Sequence, residues 1–153
     1  MTDTADKNIE NLFLCGALAL VCAVVNTAAL ILLLGSSVEV MSILTVSLVL
    51  VAPLIEEGVK RIAVWRKMPW MFLLVFCCVE TFFLAGGAGV VGLAVRILPC
   101  LLHACTMTLQ WWTWKKSIEM RSPMISVFGF WGAFAIHALY NGAVVFFMNG
   151  FLG

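Results

Sequence analysis

Residues 42–65 read SILTVSLVLVAPLIEEGVKRIAVW, a continuously apolar run that closes on a cluster of charges. At about 1.5 Å per residue, a helix of this length matches a hydrocarbon core about 30 Å thick. A membrane strand would instead alternate apolar and polar residues over about ten positions, and this run does not. The stretch therefore predicts a membrane-spanning helix carrying Glu56, Glu57, Lys60 and Arg61 towards one end. Similar runs lie on either side of it. Residues 12–34 are interrupted only by Asn26 and Thr27 and are too long for a signal-peptide core, so they predict a retained first span. Residues 70–91, 97–114 and 124–147 complete a polytopic all-α transmembrane bundle of about five spans in a single domain, 1–153. Breaks fall at Gly35-Ser36-Ser37, at Arg66-Lys67-Met68-Pro69, at Gly86-Gly87-Ala88-Gly89 and at Ser122-Pro123.

Composition agrees with this layout. The 153 residues are 63% hydrophobic and 11% charged, and their mean hydropathy is +1.09. A water-soluble domain would carry about 25% charged residues, so that class is excluded. The net charge of +1 gives no reason to expect a nucleic-acid partner. Any chemistry must sit among the helices and the lipid bilayer around them.

Orientation follows from the basic residues. Lys7, the group Lys60, Arg61, Arg66 and Lys67, and the group Lys115, Lys116 and Arg121 all fall on one side, with Arg96 alone on the other. Basic residues collect on the cytoplasmic side, which places the N-terminus in the cytoplasm and the chain in the cell membrane as a multi-pass protein. Trp65, Trp70, Trp111, Trp112 and Trp114 gather at the same edge, as an interfacial aromatic belt should.

The carboxylates at Glu56, Glu57 and Glu80 fall inside spans, as do the only two histidines, His103 and His137. A charge at mid-bilayer costs at least about 2.5–3.5 kcal/mol, so such groups face the bundle interior and mark function. Counting from each cytoplasmic edge, Glu56, Glu80, His103 and His137 lie at roughly 13–20 Å of depth. Four helices thus bring ionisable groups to a shared level. Glu56 with Lys60, Glu57 with Arg61, and Glu57 with Lys60 have spacings that meet on one helix face. Adjacent Glu56 and Glu57 point about 100° apart, so one can face the site while Lys60 holds the other. Pro53 removes a backbone donor and makes a kink plausible beside the pair. On the fifth span, Gly129, Ala133, His137 and Asn141 recur every four residues, turning one face from small to polar. Each residue also has a plainer reading: the charge cluster as a structural salt bridge, the histidines, Asn141 and Gln110 as interhelical bonds, and Phe76 as packing. The six cysteines form no CxxC pair and read as small buried apolar residues.

At Glu56-Glu57-Gly58-Val59-Lys60, Phe76-Cys77-Cys78-Val79-Glu80, His103, and His137-Ala138-Leu139-Tyr140-Asn141 the chain resembles PrsW-type intramembrane proteases. These belong to the superfamily that holds the type II CAAX prenyl proteases and the bacterial CPBP proteins. The resemblance covers about residues 50–145, and Glu80 favours the PrsW branch over the CAAX branch. It implies an endopeptidase acting on a membrane-anchored protein, by analogy an anti-sigma factor. In that scheme Glu56 or Glu57 is the base, His103 and Glu80 orient the water, and His137 and Asn141 stabilise the oxyanion. Lys60 neutralises the glutamate pair, with Phe76 in support. The same donors could instead hold Zn²⁺ through His103, His137 and Glu57, although there is no HExxH. Two further readings stand beside the protease: a non-catalytic scaffold, as in APH-type relatives, and a small transporter or proton relay.

Overall fold

The computed structural model describes the backbone of residues 2–34, 40–85 and 96–152. The described residues are helical apart from short turns, and no strand occurs among them. Helix α1 spans Thr2–Leu34. Helix α2 (Val40–Val46) runs through a π segment, Ser47–Val51, directly into α3 (Ala52–Trp65). Helices α4 (Pro69–Ala85), α5 (Ile97–Glu119) and α6 (Pro123–Leu152) follow. The stretch 42–65 is thus helical throughout, and the irregularity expected at Pro53 takes the form of the π segment just before it. The fourth helix runs past the expected end at Trp114 to Glu119. The predicted breaks at Gly35-Ser36-Ser37 and Gly86-Gly87-Ala88-Gly89, and the far end of the third predicted segment, lie outside the described residues. Among the described residues, Pro123–Phe147 is long and apolar enough to cross a membrane, while Ile9–Val25 and Pro69–Phe82 are shorter apolar helices.

Two tight turns fold the second half of the chain. At the end of α3 the Met68 N–H donates to the Ala63 carbonyl and the Lys67 N–H to that of Val64, both at 3.0 Å. At the end of α5, Ser122 N–H donates to Ser117 O at 3.0 Å and Arg121 N–H to Ile118 O at 3.3 Å. Both pairs are Schellman closures, with Lys67 (φ 61°) and Arg121 (φ 50°) in the left-handed position that glycine usually takes. Pro69 and Pro123 then open the next helices, where a missing N–H does no harm.

Helices α5 and α6 pack closely because Gly129 has no side chain. A Cβ there would run into the side chain of Thr113, whose hydroxyl is itself tied back to Leu109 O at 2.8 Å and Gln110 O at 3.1 Å. Gly129, Ala133 and His137 are all buried, as the small-to-polar face predicts. An apolar core of Cys15, Ala19, Cys22, Ala63, Val64, Phe72 and Met107 joins α1, α3, α4 and α5. Beside it lies a polar interior: Glu57, Lys60, Thr106 and Gln110 have no exposed surface, whereas Phe82 is 77% and Leu139 74% exposed. The cysteines divide. Cys15 and Cys22 are buried, but Cys78 and Cys105 face outward, so the expectation that all six are interior holds only for some.

Replacing Gly129 by Ala should lower stability by about 1–3 kcal/mol, the usual cost of overpacking a closed interface. Thr113→Gly in the same chain should recover much of the loss in a thermal denaturation series, because the obstructing atoms are those of Thr113.

A buried glutamate, lysine and histidine cluster

The cluster is built around one ammonium group. Lys60 stands on α3 one turn beyond Glu57, and its Nζ donates to Glu57 Oε1 at 2.6 Å, to Thr106 Oγ1 at 2.9 Å and towards His103 Nδ1 at 3.0 Å. An ammonium has three N–H bonds and no acceptor, so these three contacts use all of them. That fixes the neighbouring ring: His103 must accept at Nδ1 and carry its proton on Nε2. The Nε2–H then donates to Glu80 Oε2 at 2.9 Å on α4. Glu80 also has Arg96, at the start of α5, 3.6 Å from its other oxygen. Phe76, one turn before Glu80, meets the His103 ring edge to face with centroids 5.0 Å apart.

Glu57 takes three donors. Its Oε1 accepts from Lys60 and faces His137 Nδ1 at 2.9 Å, and its Oε2 accepts from Gln110 Nε2 at 2.8 Å. The same Gln110 nitrogen lies 3.2 Å from the Glu57 carbonyl. A carboxylate can only accept, so His137 presents Nδ1–H to Glu57 and turns Nε2 away from it. Glu56, one residue earlier and about 100° around the helix, lies on the side to which that nitrogen points. Glu56 Oε2 is 3.5 Å from His137 Nε2 and 4.0 Å from His103 Nε2. The two imidazoles meet nearly edge to face, with centroids 5.1 Å apart.

Glu56, Glu57, Glu80, His103 and His137 therefore converge, as do Lys60 and Phe76. Asn141, one turn beyond His137 on α6, uses its side-chain nitrogen to donate to the Leu48 carbonyl in the π segment at 2.8 Å. Three participants were missed as site residues. Arg96, His103 and Gln110 recur every seven residues, and Thr106 follows His103 by three, so one face of α5 carries them all. That spacing was available in the sequence.

Glu56, His103 and His137 also have the composition of a zinc site, with candidate ligand atoms within 4.8 Å of one another. A metal held there would have to displace hydrogen bonds of the cluster. His103 has Nδ1 committed to Lys60 and Nε2–H to Glu80, which leaves no lone pair for a metal and puts an ammonium against the ring. Glu57, the carboxylate first considered as a ligand, already takes three donors.

No family model matches the chain, and searches of curated proteins and of solved structures find no match either. The assignment of a role thus rests on the residues themselves.

Removing one partner of a buried ion pair leaves the other uncompensated, at a cost of about 3–5 kcal/mol, whereas removing both is far milder. Lys60→Met should accordingly be severely destabilising, and Lys60→Met with Glu57→Leu less so than Lys60→Met alone. Denaturation midpoints of the two variants decide this.

Proposed function

We propose that the chain is a multi-pass membrane protein of about five spans, with its N-terminus in the cytoplasm, that hydrolyses a peptide bond in a membrane-anchored protein substrate. The membrane reading is supported by a polar interior under an apolar exterior, the reverse of a soluble domain. It is supported also by basic residues and tryptophans at one end, where Arg61 lies over the Trp65 ring and Lys115 over that of Trp111.

The observation that carries the hydrolase reading is the 3.5 Å approach of Glu56 Oε2 to His137 Nε2. With Nδ1–H engaged by Glu57, a neutral His137 offers a lone pair towards a carboxylate. Two acceptors at this distance are too far apart for a direct charge-assisted bond of about 2.7–2.9 Å and call for a shared donor. In this reading the attacking water sits beside them as that donor. In the reaction Glu56 takes one proton from the water as its oxygen attacks the scissile carbonyl, and later passes that proton to the leaving amine. His137 holds the second hydrogen and aims the oxygen. Glu57 fixes the ring orientation, as a buried acid does for the histidine of a catalytic triad. On this reading Glu56 is the base and Glu57 its support. Lys60, Phe76, Glu80 and His103 form the frame. Water activation here runs through Glu56 and His137 with no metal ligand required, and the PrsW-type resemblance supplies the substrate class, a membrane-anchored regulatory protein such as an anti-sigma factor.

Reconstituted protein should cleave such a substrate, Glu56→Gln should abolish cleavage without loss of stability, and His137→Ala should reduce it by about 10²–10⁴-fold. A chelator should leave the rate unchanged. Full activity in a folded Glu56→Gln variant would remove Glu56 as the base. If neither the wild type nor any variant cleaves, the buried Lys60–Glu57 network stands instead as the core of a scaffold.

A further inference from the structure

The π segment before Glu56 has a gap in its backbone hydrogen bonding, and Asn141 fills it. The carbonyl of Leu48 can take an N–H from residue 52 in an α-helix or from residue 53 in a π-helix. The N–H of Ala52 goes to Ser47 O, and residue 53 is proline, which has none. Both backbone donors are thereby lost to Leu48. Asn141 Nδ2, reaching across from α6, donates to this carbonyl at 2.8 Å. The next residue, Gly142, lies against the same segment: a Cβ there would stand 3.7 Å from Val49 Cγ1, an ordinary contact.

We infer that Asn141 is a positioning residue: it replaces the backbone hydrogen bond that Pro53 deletes and so holds the π segment that aims Glu56 and Glu57. A π turn inserts one residue into the helix, which rotates everything after it by about 100° relative to everything before it. Glu56 and Glu57 begin one turn after that insertion. If the segment relaxed to a regular α-helix, α3 would turn against α2, or α2 against α3. The register in which Glu57 meets Lys60, Gln110 and His137, with Glu56 beside the His137 ring, would no longer be held from both sides. Asn141 also stands one turn beyond His137 on α6, so a single helix presents the histidine to the glutamates and clamps the segment that orients them. The catalytic consequence rests on the protease reading, whereas the clamp itself does not.

A double-mutant cycle separates the two. Pro53→Ala restores an N–H at position 53, and whether the segment stays π or becomes α, Leu48 O then gains a backbone donor. Asn141→Leu keeps the side-chain shape and removes the donor. In the wild-type background Asn141→Leu should lower the Tm of the detergent-solubilised protein by about 3 °C or more, the effect of leaving a helix carbonyl without its hydrogen bond in a chain of this size. In the Pro53→Ala background the shift should fall to less than half. In the cleavage assay Asn141→Leu should lower kcat on the order of tenfold with KM little changed, and should cause no further loss when added to Pro53→Ala. An equal Tm loss in both backgrounds overturns the clamp. An equal loss of kcat in both returns Asn141 to the role of a donor to the oxyanion. If the wild type does not cleave, the protease reading fails, and the Tm cycle still decides the clamp.

Discussion

A cation with no access to water sets the terms for the rest of this molecule. Lys60 is fully buried, as is Glu57, and an ion in such a place is tolerated only where geometry is good and every remaining proton is satisfied. Three separate demands follow from its three N–H bonds. One ties it to Glu57 within α3, and two reach α5 at His103 and Thr106. The two residues it touches then carry the requirement outward, His103 to Glu80 on α4 and Glu57 to His137 on α6. Four helices are located by a single chain of hydrogen bonds whose polarity is fixed at its centre.

The adjacent glutamates have different surroundings. Glu57 points into the bundle and takes donors from Lys60, Gln110 and His137. Glu56, turned about 100° away by the helix, keeps a side chain 14% exposed and shares its edge with two imidazoles. The same helix thus supplies one carboxylate held by three donors and one turned towards the two imidazoles. Where the chain enters this helix, the π segment and Pro53 provide a second constraint, and α6 answers it with Asn141.

Much of this was legible in the sequence, for reasons that can be named. The continuous apolar runs and their Pro and Gly breaks gave the helices, and the rarity of intramembrane charge singled out Glu56, Glu57, Glu80, His103 and His137. Spacing by three and four paired Lys60 with Glu57. The partner of Asn141 was not foreseen because its spacing from His137 says that the two share a face and nothing about what lies opposite. Its partner is a backbone carbonyl, which leaves no mark in composition, and the loss of that carbonyl's own donor depends on a π turn that periodicity does not announce. Thr106 and Gln110 were underread for a different reason: each is unremarkable as a residue type, and only the common face of α5 with His103 gives them meaning. Arg96, set apart by charge topology as the lone basic residue on its side, turns out to face Glu80.

The central claim is a direction of hydrogen bonding, and ¹⁵N NMR of histidine-labelled protein reads it without any assay of function. His103 should be the Nε2–H tautomer, held by Lys60 at Nδ1, and His137 the Nδ1–H tautomer, held by Glu57, with its Nε2 unprotonated. Opposite tautomers in the two rings are the predicted result. The same tautomer in both, or a His103 protonated at Nδ1, would contradict the network centred on Lys60 and with it the assignment of Glu56 and His137 to the water.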